Sequence, residues 1–275
     1  MLIALLATAL AQDPAYDRTT KETAEADKPV TALSAEFGGT FTTGNAFALA
    51  FNGGLAGKHS WQANRFAFGA GVNLNLAKID TDGDGTLNDA ERSTKLTFTS
   101  QRVFGSARYD RFFGKLNSLY VSAGGERDIF AGLEWRFNEQ IGYSRVIVDS
   151  KTTDLDIELG LAYTQENFKT TDDADGNPTV NAEVLDAHYP AARVFLGFEH
   201  RFNDKVSLGD TIEMNENLIT PVDFRLVNTA YLASKLSDKL SLKLSHRLAF
   251  DNLPASDAFR KLDQTTQLTL VANIF

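Results

Sequence analysis

The chain has 275 residues, no cysteine and a formal net charge of -9. The missing cysteines exclude disulfide scaffolds and thiolate metal sites. The acidic balance argues against nucleic-acid binding, which needs clustered Lys and Arg. After residue 11 no apolar run approaches the ~18 residues of a membrane-spanning helix, so only a closed β-barrel could satisfy its backbone hydrogen bonds in lipid.

The N-terminal residues have the pattern of a secretory signal. Residues 1–11 (MLIALLATALA) are apolar and end in the small-x-small triplet Ala9-Leu10-Ala11, which predicts a signal peptide with its cleavage point. A buried N-terminal strand is the alternative, but the acidic segment that follows would not anchor it. Residues 12–30 are charged and poor in apolar side chains, which predicts a flexible periplasmic tail. We therefore expect an exported protein whose folded domain spans residues 31–275.

From residue 31 onward, apolar and polar residues alternate with a period of two. In residues 240–251, Leu242 and Leu244 lie on one face and Lys243 and Ser245 on the other, as in a strand with one buried side. Alternating segments of about ten residues are typical of outer-membrane barrels. The sequence predicts twelve such strands: 31–42, 46–56, 61–77, 93–111, 117–128, 132–148, 153–168, 188–202, 206–217, 223–236, 240–251 and 263–275. The expected fold is an all-β, antiparallel, up-and-down transmembrane barrel of about twelve strands, and one misread hairpin would make it ten or fourteen.

The lengths of the connections support this fold without using hydrophobicity. If the N-terminus is periplasmic, every second connection should be a short periplasmic turn and the others should carry the long outer loops. The short candidates are GKHS (57–60), FFGKLN (112–117), VDSK (148–151), FND (202–204) and LSDK (236–239). The longest connections, 78–92 and 169–187, fall in the alternate positions and are expected to be extracellular. An even strand number also returns the C-terminus to the periplasm.

Several segments resemble a known family. They are TTGN (42–45), GERDIFAGLEWRF (125–137), LSDKLSLKLSHRLAFDNLP (236–254) and DQTTQLTLVANIF (263–275). On these segments, over about residues 31–275, the chain resembles the uncharacterised YdiY-like family of salt-induced outer membrane proteins. The resemblance implies an outer-membrane barrel and a link to salt or osmotic stress, but no established activity.

The sequence departs from the family pattern in two places. The two long acidic loops resemble insertions. In the closing strand, Leu268, Leu270 and Ile274 are out of phase with Phe275, whereas the usual assembly signal puts the terminal aromatic on the apolar face. We therefore expect a bulge or a weaker signal to the barrel-assembly machinery. That machinery and outer-membrane lipid are the predicted partners.

The polar face of the strands should line the barrel interior. The predicted lumen residues are the acids Glu36, Glu134, Asp156, Glu158, Glu199 and Glu213 and the bases Arg65, Arg136, Arg193, Arg201, Lys243 and Arg247. Six acids and six bases make the interior nearly neutral, so strong charge selectivity is not expected. Two interpretations are open: a narrow polar channel, or an interior closed by salt bridges between these residues.

A calcium-binding motif lies in the first long loop. Residues 80–91 match D-x-[DN]-x-[DN]-G-x5-E, and the predicted calcium ligands are Asp80, Asp82, Asp84, Thr86, Asn88 and Glu91. This spacing can wrap the six to eight oxygens that calcium requires around one point. Because strands flank the loop, no EF-hand pair is expected. A weaker copy at 173–183 is one residue short and has Pro178 in place of the motif glycine.

An enzyme is the competing class of function. Nucleophilic catalysis needs a histidine within hydrogen-bond reach of a serine. Ser245 and His246 are adjacent on a strand and so face opposite sides, His200 has outward parity, and His59 is predicted in a periplasmic turn. Only His188, at the outer rim, remains a candidate for a lipid hydrolase. We therefore predict a non-enzymatic bacterial outer-membrane barrel, either a minor channel or an envelope-stress protein, with a calcium-dependent adhesion protein as a further alternative.

Overall fold

A computed structural model describes residues 29–43, 47–81, 87–128, 132–168, 186–254 and 260–274. These residues form twelve strands and one short helix: β1 (Val30–Thr42), β2 (Ala48–Trp61), β3 (Asn64–Ala77), α1 (Asp89–Arg92), β4 (Thr97–Phe112), β5 (Asn117–Asp128), β6 (Leu133–Asp149), β7 (Thr153–Phe168), β8 (Asp186–Arg201), β9 (Val206–Asn217), β10 (Phe224–Ser237), β11 (Leu240–Asp251) and β12 (Leu262–Asn273). Within the described ranges, no helix has the length and hydropathy needed to cross a membrane. The predicted signal peptide and most of the predicted tail lie outside these ranges.

The twelve strands close into one antiparallel barrel in which each strand pairs with its neighbours in the sequence. Closure occurs between β1 and β12, from Ser34 opposite Asn273 to Phe37 opposite Leu270. Beyond this register the Ile274 N–H donates to the Leu33 carbonyl at 2.8 Å. Although this ladder pairs only four residues of each strand, it closes the sheet, so every strand has a neighbour on both sides. The predicted fold class and strand number are therefore confirmed.

Apolar side chains cover the outside of the barrel and polar side chains fill the inside. On neighbouring strands, Ile141 is 59% exposed and Leu161 57% exposed, whereas the inward-facing Tyr120 is 1% and Glu158 2% exposed. A soluble barrel would place these classes the other way round. An apolar outer wall and a polar interior are the arrangement that a transmembrane barrel needs.

The two ends of the barrel differ. The end that we call the turn side carries the start of β1 and five short connections, at 62–63, 113–116, 150–152, 202–205 and 238–239. The opposite end, the loop side, carries the connections at 43–47, 78–96, 129–132, 169–185, 218–223 and 252–261. Every turn-side connection has at most four residues, and the three longest connections, 78–96, 169–185 and 252–261, belong to the loop side, as predicted. The loop-side connection 129–132 is also short, with four residues.

Two predicted strand boundaries are wrong, the end of β2 and the start of β4. In both cases polar residues belong to a strand or a helix rather than to the element that the sequence predicted. The segment 57–60 is not a turn: it continues β2, and the turn is at Gln62 and Ala63, where Gln62 has a φ of 48°. Its Ser60 is buried and its His59 exposed, so these polar residues follow the inside-outside alternation of the strand. Strand β4 begins at Thr97 rather than at residue 93, because α1 occupies residues 89–92.

The final strand is regular over its described residues. Leu268 and Leu270 are exposed outward, whereas Gln267 and Thr269 are buried inside. Strand β12 pairs with β11 and with β1 without a register shift, so the expected bulge is absent from residues 262–273. Phe275 lies outside the described residues.

Candidate functional site in the barrel interior

Six charged side chains cross the interior from the turn side to the middle of the barrel. We call them the turn-side network: Arg65, Asp110, Arg108, Glu158, Arg193 and Glu213. At its centre the Arg108 guanidinium donates to Asp110 (Nη2 to Oδ1, 2.8 Å) and to Glu158 (Nη2 to Oε1, 2.7 Å). Arg193 then donates to Glu158 at 2.7 Å and to Glu213 at 2.8 Å. Because β5 and β6 separate β4 from β7, the Arg108–Glu158 pair must reach across the lumen.

Tyr120 supports this network from the barrel wall. Its ring lies 4.1 Å from the Arg108 guanidinium carbon, and its hydroxyl accepts a hydrogen bond from Arg193 Nη1 at 2.8 Å. The ring can lie flat because glycines occupy the wall beneath it: a Cβ on Gly142 would be 2.5 Å from the Tyr120 hydroxyl, and one on Gly160 would be 2.7 Å from it. Tyr120 is therefore closely packed against the barrel wall and supports the network from there.

A second set of charges surrounds the interior near the loop side. We call it the loop-side network: Arg102, Glu126, Arg136, Glu166, Arg225 and Asp251. Arg136 donates to Glu126 at 2.8 Å and to Glu166 at 2.7 Å. Arg225 on β10 donates to Glu166 on β7 at 2.9 Å, over the intervening β8 and β9. Each network contains three arginines and three carboxylates, so neither carries a net charge that would select ions by sign.

A cavity of about 300 Å³ lies among these networks. Its polar lining includes Ser106, Ser122, Asn138, Gln140, Thr164, Thr211, Asn215 and Thr229, together with the three arginines of the loop-side network and Arg247. Asp223, in the connection before β10, also lines it and accepts a hydrogen bond from Asn217 Nδ2 at 2.9 Å. Burial raises the pKa of Asp223 above its usual range. The interior therefore contains the turn-side network of charges and, next to it, a cavity lined by polar side chains.

The structure brings most of the predicted lumen residues into the interior. Glu36 and Lys243 form an ion pair from β1 to β11, and Arg201 pairs with Asp154 and lies 3.3 Å from Glu199. Asp156 is buried. Glu134 is the exception, because it pairs at 2.9 Å with the half-exposed Arg127. A register shift between Leu133 and Trp135 interrupts the alternation there and makes its placement in the lumen wrong.

Sequence reasoning missed seven of the twelve charges in the two networks. These are Arg102, Arg108, Asp110, Glu126, Glu166, Arg225 and Asp251. The signal was present for some of them, since Ser106, Arg108 and Asp110 follow each other at every second position on β4. Which acid bonds which base across non-adjacent strands depends on the curvature of the closed barrel, and a strand pattern does not contain that information.

The calcium motif lies partly outside the described residues, since 82–86 are not described. Its C-terminal part forms α1, with Asn88 as the N-cap and Glu91 as the third helical residue in a capping box. Glu91 is buried, and its Oε1 accepts from the Thr81 N–H at 2.6 Å. This bond brings motif position 12 next to position 2, so the start and the end of the motif lie close together. A helix rather than a strand therefore follows the loop. The weaker motif at 173–183 lies wholly outside the described residues.

The histidines bond to groups other than serine. On the outer wall, His59, His200 and His246 lie within 2.9 Å of the hydroxyls of Thr31, Thr153 and Thr266, respectively. His59 also stacks on Trp61, with ring centroids 5.4 Å apart, so its predicted place in a turn is wrong. His188 lies 3.1 Å from Asp186, both largely exposed. Within the described residues these contacts do not form a serine–histidine pair.

No curated protein matches the chain, whereas solved structures of barrel proteins do. Among solved structures, the NanC porin in a rhombohedral crystal form is 10% identical, with a TM-score of 0.49, and the match covers 89% of this chain and 100% of the porin. The translocator domain of the autotransporter NalP from Neisseria meningitidis is 15% identical (TM-score 0.43; coverage 90% and 88%). The toluene transporter TodX of Pseudomonas putida is 11% identical (TM-score 0.41; coverage 90% and 89%).

A family model matches most of the chain. The match spans residues 35–274, and the family is described as "Protein of unknown function, DUF481". It comprises uncharacterised YdiY-like outer membrane proteins, so the resemblance inferred from the sequence segments is confirmed. The matched range contains both interior charge networks. It also contains the whole barrel except the first residues of β1. The chain belongs to the DUF481 family of outer-membrane β-barrels.

Proposed function

We propose that this barrel lies in the bacterial outer membrane and acts as a narrow, non-enzymatic channel for small polar solutes. The observation that carries the proposal is the polar cavity of about 300 Å³ inside the barrel. Its position above the turn-side network makes that network the constriction of the channel. Because both networks are neutral pair by pair, passage is limited by width rather than by the sign of the solute charge.

The constriction is narrow because its charged side chains bond to one another across the interior and fill it. Arg108 is 3% exposed and Asp110 is 0% exposed, so little of their surface reaches water. A buried guanidinium held by two carboxylates is stiff, since moving it would leave its own buried charge without a partner. We therefore expect a low conductance in the native protein and a larger one once the network is cut.

Single-channel recording in planar bilayers tests this function. The native barrel is expected to give small conductance steps. These steps should be of similar size in both directions of a salt gradient. Arg108→Met should enlarge the steps because it removes the group that bridges β4 and β7. Arg127→Met removes a rim arginine and is the matched control, which should leave the steps unchanged. A barrel that stays sealed at all voltages would refute the channel and favour the envelope-stability role implied by the family resemblance.

A second proposal concerns the first long loop: residues 80–91 bind one calcium ion and rigidify the loop side. The placement of Glu91 beside Thr81 favours it, because the two ends of the motif already meet. The proposed ligands are those of the motif, from Asp80 to Glu91. Affinities of extracellular calcium sites are on the order of 0.1–1 mM, a range that suits a surface-exposed loop.

Thermal unfolding of the folded barrel with and without calcium tests the second proposal. At about 10 mM calcium, an affinity in that range would stabilise the barrel by roughly 1.4–2.7 kcal/mol, and magnesium should do less. The gain should disappear in Asp80→Asn/Glu91→Gln. It should persist in Asp89→Asn, which changes an adjacent acid outside the ligand positions. Equal calcium shifts in the two variants would contradict the site.

A further inference from the structure

The cavity contains polar atoms that the barrel itself does not satisfy. Four residues of its lining each have one buried side-chain atom without a hydrogen-bond partner among the described residues: Ser106 Oγ, Asn138 Oδ1, Asn215 Oδ1 and Asp223 Oδ1. They come from β4, β6, β9 and the connection before β10, so they approach one space from several sides. Buried polar atoms are normally bonded. When several residues of one cavity lining have polar atoms without hydrogen-bond partners, a polar ligand or water is expected to supply those partners.

The charge pattern argues for a ligand without net charge. The three arginines of the loop-side network that line the cavity already donate to carboxylates at 2.7–3.0 Å. The fourth arginine of the lining, Arg247, is also engaged by an interaction within the protein. An anion would therefore have to displace an existing partner of an arginine, and a cation would have to displace an arginine. The four atoms without partners are one hydroxyl oxygen, two amide oxygens and one carboxylate oxygen. The amide and carboxylate oxygens can only accept hydrogen bonds. Their natural partners are ligand hydroxyl groups, which donate and accept.

Aromatic side chains also line the cavity. Phe104 and Phe195 border the cavity, and Phe195 is only 4% exposed. Apolar faces next to a few placed polar atoms are the usual composition of a small-molecule site, and a volume of about 300 Å³ is at the lower end for such sites. A sugar ring offers both requirements at once: a face of C–H groups and a rim of hydroxyls.

We propose that the cavity binds a neutral mono- or disaccharide. The sugar hydroxyls would bond Ser106, Asn138, Asn215 and Asp223, and the aromatic side chains would contact its C–H face. The inference names the solute class of the proposed channel and rests on that function for passage across the membrane. Binding itself requires only the folded barrel.

Isothermal titration calorimetry with the detergent-solubilised full barrel, using glucose and maltose, tests the inference. Saturable binding is expected, whereas gluconate and glucosamine should bind more weakly. Ser106→Ala/Asn138→Ala should weaken binding by about tenfold, since each removed hydrogen bond contributes a factor of several. Ser144→Ala, a buried interior serine outside the cavity lining, is the matched control and should not change the affinity.

Two outcomes would overturn the inference. One is the absence of saturable sugar binding by a barrel shown to be folded by its resistance to unfolding in detergent on gels. The other is sugar binding that the cavity variants leave unchanged. Conductance of the same preparation in planar bilayers separates this result from the proposed channel: open channels that bind no sugar refute the solute class alone, and sugar binding by a sealed barrel refutes the channel alone.

Discussion

Removing the charge of Arg108 should destabilise the barrel more than removing any exposed arginine. The Arg108→Met variant keeps an unbranched stem against Tyr120 but loses the contacts to Asp110 and Glu158. Breaking a buried ion pair by deleting one partner costs about 3–5 kcal/mol. Here Glu158 keeps Arg193 and Asp110 keeps Arg65, so the expected loss is near the lower limit, about 3 kcal/mol.

Equilibrium unfolding in denaturant, with the barrel folded into lipid vesicles, measures this loss. Arg127→Met is the control: Arg127 lies 2.9 Å from Glu134, and the two side chains are 51% and 31% exposed. Exposed pairs contribute less than about 1 kcal/mol. If both variants lower the free energy of unfolding by the same amount, the turn-side network does not stabilise the interior, and the argument for a stiff constriction fails.

Two other substitutions test the packing and the membrane face. Gly142→Ala should cost about 1–3 kcal/mol, because its methyl group would lie 2.5 Å from the Tyr120 hydroxyl and 2.6 Å from the Leu159 carbonyl oxygen, so that Tyr120 and the backbone of β7 would both have to move. Gly105→Ala should be tolerated, because its Cβ would meet the nearest atom at an ordinary 3.4 Å, and equal losses in denaturant unfolding would contradict the role of the glycine. Leu161→Arg, on the outer wall, should cost about 2–4 kcal/mol in lipid. Leu253→Arg, in the connection after β11, should cost much less, and a barrel indifferent to both arginines would not have the lipid-facing belt assigned to it.

Strand number and the inside-outside assignment followed from the sequence alone. Both depend on a period-two pattern that each strand carries locally, and on turn lengths that can be read without knowing the neighbours. Strand β11 shows this best: Leu242 and Leu244 are more exposed than Lys243 and Ser245, as the alternation predicts. The same local reasoning failed at residues 57–60, where polar residues of a strand resembled a turn, and at Glu134, where a register shift reverses the faces.

The pairing of charges inside the barrel required the closed structure. Arg108 and Glu158 are 50 residues apart and lie on strands that are not neighbours, so no sequence period relates them. The same is true of Arg225 and Glu166, 59 residues apart. Parity places a side chain inside, but the curvature of the wall decides which opposite charge it can reach. The chain therefore encodes the barrel strand by strand, whereas the constriction and the cavity exist only after the first and last strands meet.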